Sequence, residues 1–366
     1  MALNCGIVGL PNVGKSTLFN ALTAAKALAA NYPFATKEPN VGMITVPDER
    51  LVKLTELIKP RSVVPTSMEI VDIAGLIKGA SKGEGLGNQF LANIREVNAI
   101  IHVIRCFEDD NVVHVDANIN PVRDKEIIDM ELMLKDLETV IKYVDKFEKA
   151  AKSAKKDDLQ RLEFARKLRT HLEAGKPVRQ FELASEQDEE TLRSMYLLTS
   201  KPVLYVLNVD EKSVINGNKY TQSFIQSIHE EDNEVIMICA GIEAELMDFE
   251  DPEERQMFLE EMGLNEPGVN RVIRASYSLL KLITFFTAGE KEVRAWTLRE
   301  GLKAPQAAGT IHSDFERGFI RAEVIKYEDY VHYGSEHAIK EAGKMHVEGK
   351  DYVVKDGDVV FFRFNV

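Results

Sequence analysis

Cysteine is scarce in this chain. Cys5, Cys106 and Cys239 are the only three in 366 residues, and they stand far apart in apolar runs. That excludes a disulfide scaffold and points to buried free thiols in a reducing compartment. Long apolar runs are missing as well. No stretch reaches the ~18 residues of a membrane-spanning helix. Met1-Ala2-Leu3 leads straight into a strand pattern, which leaves no room for a signal peptide. Positive charge is in deficit, with 46 Lys and Arg against 59 Asp and Glu and a formal charge of −13. So acidic a molecule does not coat nucleic acid with its whole surface, and no reading of DNA sequence is expected; a local basic face stays open. Hydrophobic content of 45% and charged content of 29% are those of an ordinary globular protein. The length suggests about two to three domains.

What is present is a phosphate-binding loop. Gly9-Leu10-Pro11-Asn12-Val13-Gly14-Lys15-Ser16 fits GxxxxGK[ST]. Residues 4–8 before it read as a buried strand, and Thr17 to Leu22 after it have helical spacing. Strand, glycine-bounded loop and helix are the context that turns the pattern into a phosphate cradle. The glycines let backbone N–H groups converge, and the helix N-terminus adds partial positive charge. Lys15 can reach the β- and γ-phosphates, and the Ser16 hydroxyl can hold Mg²⁺.

The loops that follow carry the other parts of a switch-type NTPase. In the Pro- and Asn-rich segment 30–42, Thr36 is the hydroxyl that closes over Mg²⁺ and the γ-phosphate. Residues 68–71 read as a strand ending in Asp72, a Walker-B-type Mg²⁺ partner. Gly75 can bring its N–H to the γ-phosphate. Residues 79–87, with four glycines, suit a switch that orders on its ligand or a plain flexible loop. Leu76 stands where Ras-like enzymes place a water-orienting glutamine, so another group must do that work. His114, in the polar stretch beyond the apolar run 99–105, is either that group or a surface histidine. His102, inside the run, reads as a core residue.

The base-side loop departs from the GTPase pattern. A strand over 201–207 ends in Asn208-Val209-Asp210-Glu211, where a GTPase carries Asn-Lys-x-Asp. Val209 removes the lysine. Glu211 is one methylene longer than aspartate, so its carboxylate misses the two guanine donors, and Asp210 comes one place early. Adenine has an acceptor at N1 and needs no carboxylate there; Asn208 and nearby backbone groups serve N7 and the 6-amino group. A further strand over 235–239 leads to Ala240, counted with the nucleotide-binding residues.

Between these strands the period changes. Ile127, Met130, Leu134, Leu137, Ile141 and Val144 alternate steps of three and four, as a coiled-coil seam does. Leu159, Leu162, Ala165, Leu168 and Leu172 form a second helix, with the turn at 155–158 and the stop at Gly175-Lys176-Pro177. An antiparallel hairpin is therefore inserted into one α/β sheet. From Lys142 to Arg179 it holds twelve basic and six acidic residues, a net +6. That is either a solvated helix face or a surface for RNA phosphates. Strand-like runs at 282–286, 292–296, 319–325 and 359–364, with a helix near 337–342, predict a final α+β module without a catalytic constellation.

The order of P-loop, Asn-Tyr-Pro-Phe-x-Thr loop, Asp-x-x-Gly-Leu, helical hairpin, Asn-x-x-Glu and terminal β-grasp resembles the YchF family, the Obg-like ATPases within the translation-factor class of P-loop GTPases. The most specific pieces are Asn31 to Gly42 and Ala308-Gly309-Thr310-Ile311-His312-Ser313-Asp314-Phe315. The resemblance implies an α/β P-loop NTPase G domain with a parallel-type sheet (1–122 and 200–280), the inserted hairpin (123–199) and a C-terminal α+β β-grasp, or TGS, domain (281–366). It implies that Asn12, Val13, Gly14, Lys15, Ser16 and Thr17 bind phosphates, that Ser16 and Thr36 join Asp72 at Mg²⁺, and that Val209 lies beside the base. A monovalent cation such as K⁺ is a second implied cofactor. The expected activity is slow ATP hydrolysis with GTP as the weaker substrate, in a cytoplasmic switch that binds the ribosome or its large subunit through the hairpin and TGS domain. The alternative is an ATPase serving stress metabolism away from the ribosome.

Overall fold

A computed structural model describes residues 3–24, 40–73, 86–109, 118–152, 155–229, 231 and 233–365. The elements begin with β1 (Asn4–Val8), α1 (Lys15–Ala24), β2 (Val41–Thr45), α2 (Glu49–Ile58), β3 (Ser62–Val64), β4 (Ser67–Asp72), α3 (Leu86–Glu96) and β5 (Ala99–Arg105). The middle of the chain forms α4 (Pro121–Ala151), α5 (Lys156–Glu173), α6 (Glu186–Met195), β6 (Val203–Asn208), α7 (Lys219–Ser227), β7 (Val235–Ile238), α8 (Ala240–Glu245), α9 (Pro252–Glu261) and α10 (Gly268–Leu279). The last part forms β8 (Leu282–Ala288), β9 (Glu292–Arg299), α11 (Ala304–Ile311), α12 (Ser313–Arg317), β10 (Phe319–Ile325), α13 (Tyr327–Tyr333), α14 (Glu336–Glu341), β11 (His346–Glu348) and β12 (Val359–Phe364). They gather into two compact units.

The first unit takes in β1, α1 and the described parts of Glu69–Val272. In its sheet the strands run in the order β4-β1-β5-β6-β7, all parallel. Every residue of β5 and β6 is buried, which is why both read as unbroken apolar runs. His102 is one of them; burial pushes its imidazole down to about 4, so it sits neutral against Tyr205 with ring centroids 5.7 Å apart. All three cysteines are free and buried.

The hairpin forms as expected, but only part of the expected seam packs: Leu137 and Val144 join the core between α4 and α5. Met130, Leu134 and Ile141 are 58%, 44% and 37% exposed, while Ile128, Leu132, Val140, Val144 and Phe147 are buried. Val140, Val144 and Phe147 pack on Leu162, Ala165, Leu168 and Leu172 of α5. Carboxylates hide the true stripe from a hydrophobic reading, because Asp124, Asp129, Glu131 and Asp136 are buried on it. Asp136 accepts hydrogen bonds from the N–H groups of Leu198 (2.7 Å) and Thr199 (2.8 Å) and from the Thr199 hydroxyl (2.6 Å). Asp129 holds Arg179 through both oxygens at 2.9 Å. Arg179 is thus an internal anchor and leaves the basic surface. Arg166, Lys167 and Arg169 are paired with Glu148, Glu163 and Glu173. Lys149, Lys152, Lys155, Lys156 and Arg161, around the turn, have no ion pair among the described residues.

The second unit takes in Met43–Met68 and the chain from Ile273 onward. Its boundary departs from the expected one, since α2 and β3 come from the amino-terminal part. Its sheet has the order β11-β10-β12-β8-β9-β3; β8–β9, β10–β12 and β10–β11 are antiparallel, β12–β8 and β3–β9 parallel. Alternation sends neighbouring residues to opposite faces. Phe286, Ile325 and Val359 meet Leu51 and Leu54 of α2 and Ile339 of α14, while Phe285, Val324 and Val360 meet Ala304, Ala307 and Ala308 of α11. Helices cover both faces, where the sequence suggested one helix.

Candidate nucleotide-binding site

The site gathers where parallel strands end. The loops after the carboxyl ends of β1, β5, β6 and β7 all line one cavity of about 1020 Å³. This is where open α/β sheets bind ligands. Asn12, Gly14, Lys15, Ser16, Thr17, Asn208, Val209, Glu211 and Ala240 line it. Val13 is buried beneath the loop.

The loop's shape explains its residues. Asn12 has φ 62° and Gly14 φ 99°, the left-handed turns that let successive N–H groups face one point. A Cβ on Gly14 would lie 2.3 Å from the Asn208 amide nitrogen. Lys15 opens α1 and is buried; its ammonium donates to the Leu10 carbonyl at 2.7 Å. Burial pulls it down to about 8, against the attraction of Asp72. Burial likewise raises the Asp72 carboxyl, opposed by Lys15. Asp72 Oδ1 is buried without a hydrogen-bond partner among the described residues.

That orphaned oxygen is what a hard cation beside phosphates takes up. Among the described residues no three His, Cys, Asp or Glu side chains gather to hold a metal by themselves. One carboxylate and the Ser16 hydroxyl suit Mg²⁺, which binds through one or two protein oxygens together with substrate phosphates. The described residues fit Mg²⁺ in that mode.

Asn208 ties the base side to the phosphate side. Its amide donates to the Val13 carbonyl and its oxygen accepts from the Ala240 N–H, both at 2.9 Å. A base therefore meets only its second lone pair and remaining N–H. Val209 is buried. Asp210 also lines the cavity and caps a short 3₁₀ turn, accepting from the Ser213 N–H (3.1 Å) and hydroxyl (2.9 Å). Glu211 is exposed on the cavity.

The chain matches known proteins along its whole length. Residues 4–164 match a family described as "50S ribosome-binding GTPase". Residues 282–365 match the carboxyl-terminal YchF-GTPase family, described as "Protein of unknown function (DUF933)". "Ribosome-binding ATPase YchF" of Bacillus subtilis (strain 168) is 55% identical, and that of Escherichia coli O157:H7 54%, each over 100% of both chains. The solved YchF GTPase of Schizosaccharomyces pombe superposes with a TM-score of 0.89 at 39% identity, covering 99% of this chain and 98% of that one. The chain belongs to the YchF family. It is a P-loop NTPase, and the expected α/β fold with hairpin and carboxyl-terminal domain is the one observed.

Not every site residue expected of a YchF protein can be placed. Thr36, Gly75 and His114, with Leu76 beside Gly75, lie outside the described residues. The cavity also has a wall the sequence reading passed over: Phe107, Glu108 and Asp109 after β5, Asn218, Lys219 and Tyr220 at the start of α7, and Cys239 after β7. Position after a strand end could have flagged Phe107–Asp109 and Cys239; nothing local marks Asn218–Tyr220. Arg105 stacks on Phe107 at 4.5 Å and donates to its carbonyl. Glu108 meets the Tyr220 hydroxyl and, at 3.0 Å, the Lys219 ammonium, and these hold its carboxyl below the usual range.

Proposed function

We propose that the chain is a slow, Mg²⁺-dependent ATP hydrolase that prefers ATP to GTP and acts as a cytoplasmic switch on the ribosome or its large subunit. The observation that carries the base choice is the loop Asn208-Val209-Asp210-Glu211. Guanine needs a carboxylate at its N1–H and 2-amino group. Asp210 stands one place early and already accepts from Ser213, and the Val209 side chain offers no polar group. A base left with unpaired polar groups loses about 1–3 kcal/mol, so the preference for ATP is roughly 5- to 150-fold. Titration of the nucleotide-free protein with both Mg²⁺-nucleotides tests this; a tenfold preference for GTP would sink it.

The chemistry assigned to the chain is attack of water on the γ-phosphate. Lys15 supplies the cation that meets charge on the transferring group, and the loop's N–H groups orient the phosphates. Ser16 and Asp72, with Thr36, would hold Mg²⁺, which when bound neutralises the phosphate oxygens. Gly75 is assigned to the γ-phosphate by its N–H. With leucine at position 76, His114 is assigned to water, and turnover is well below the ~1–100 s⁻¹ of kinases.

The names of the relatives support the ribosome as partner. The unpaired cations at the hairpin's turn suit an RNA phosphate surface. Reversing Lys149, Lys152 and Lys156 to glutamate should reduce co-sedimentation with ribosomes and flatten its salt dependence, with unstimulated hydrolysis kept. Unchanged co-sedimentation would return the turn to an ordinary solvated surface.

A further inference from the structure

The cavity wall formed by Glu108, Lys219 and Tyr220 has no part in the function so far. Two segments separated by more than a hundred residues meet there. The Tyr220 hydroxyl and the Lys219 ammonium both bind Oε1 of Glu108. Lys219 also lies 4.8 Å from the centroid of the Tyr220 ring. All three residues line the nucleotide cavity, together with Phe107 and the loop 208–212.

Such an arrangement does little for stability, because solvent screens an exposed ion pair. Its effect is to fix an acceptor. A carboxylate has about four lone-pair sites, and two donors on one oxygen leave the other able to accept. Adenine and guanine differ at the position such an acceptor reads. Adenine carries a 6-amino donor, and guanine carries an oxygen that a carboxylate repels.

We propose that Glu108 selects the base: its carboxylate, positioned by Tyr220 and Lys219, accepts a hydrogen bond from the 6-amino group of adenine and repels the 6-oxygen of guanine. This deepens the preference for ATP inferred above and rests on it. It assigns the attractive half of that preference to Glu108, whereas the departures at Val209 and Glu211 only remove what guanine needs.

The test is equilibrium binding of three Mg²⁺-nucleotides to the whole protein: ATP, GTP and purine riboside triphosphate, which lacks the 6-amino group. Glu108→Gln can turn its amide to offer a donor. It should lower the ATP-to-GTP affinity ratio about tenfold, the size of a hydrogen bond to a charged group. The same substitution should leave purine riboside triphosphate affinity unchanged. Tyr220→Phe frees the carboxylate without removing it, so the ratio should fall by less, again with the 6-unsubstituted nucleotide unaffected. A merely structural role would weaken all three nucleotides alike, and that result overturns the proposal. A wild-type preference for ATP that Glu108→Gln leaves intact also ends this proposal, but not the base-choice reading. A wild type that binds GTP more tightly ends both.

Discussion

The two compact units differ in where buried polar atoms go unsatisfied. The buried side-chain atoms without a hydrogen-bond partner among the described residues belong to Asp72, Arg179 and Arg255, all in the nucleotide-binding unit. In the carboxyl-terminal unit, Asp358 is almost fully buried, yet it takes the Lys326 ammonium, the Tyr352 hydroxyl at 2.7 Å and the Lys355 N–H at 2.9 Å. Asp356 there accepts from Arg50 at 2.6 Å and from the Thr284 N–H at 2.8 Å, fastening α2 to a segment some three hundred residues away. A satisfied carboxylate holds a fold together; an unsatisfied one beside a desolvated lysine is shaped for a ligand.

Removing the charge from each unit should separate the two roles. The largest effect expected is in the first. Lys15→Ala removes the cation facing the phosphoryl group, and hydrolysis should fall at least about 100-fold, the usual loss for one transition-state donor. Its melting temperature should not drop, because the lysine is buried at an electrostatic cost. Phosphate release and a thermal melt measure the two, and wild-type turnover would remove the P-loop from the mechanism.

The second unit should respond in the reverse sense. Asp358→Ala leaves Lys326, Tyr352 and a backbone N–H without their acceptor, which should cost about 2–4 kcal/mol of folding stability. ATP affinity should be unchanged. The only tryptophan, Trp296, lies in this unit, so its fluorescence during urea unfolding reads the loss directly. A loss of nucleotide affinity with stability intact would erase the contrast between the units.

The same contrast governs how much was legible in the sequence. The nucleotide site was readable because its parts are local: each motif follows a strand, and parallel strands deliver their ends to one place. The wall of Lys219 and Tyr220 was not, because it depends on where α7 begins relative to a loop over a hundred residues earlier. In the hairpin, the apolar period gave two helices and their turn, but on α4 Leu137 and Val144 join the core while Met130, Leu134 and Ile141 stay exposed. Asp124, Asp129 and Asp136 look like surface residues until Arg179 and the N–H groups of Leu198 and Thr199 are brought to two of them. The second unit's strands were readable by alternation, but α2 and β3 joined it through long-range pairing, with Ser62 to Val64 against Glu292 to Arg294, which no local pattern encodes.

The finest test of the unsatisfied pair is its pH dependence. In the free protein Lys15 loses its proton at about 8, pulled down from 10.5 mainly by burial. Phosphates bound beside it favour the charged form and raise that value. Below pH 8 the lysine is charged in both states, and this group leaves ATP affinity flat. Above pH 8 binding must take up a proton, so affinity should fall by up to about tenfold per pH unit until the bound-state value is reached. Calorimetry at pH 8.5 in buffers of different ionisation enthalpy should register the proton taken up, and Lys15→Ala should abolish both the uptake and the slope. A flat affinity from pH 7 to 9.5 would mean that Lys15 is already fully charged before nucleotide arrives. Asp72 would then hold its charge through pairing with Lys15, and the first unit would resemble the second.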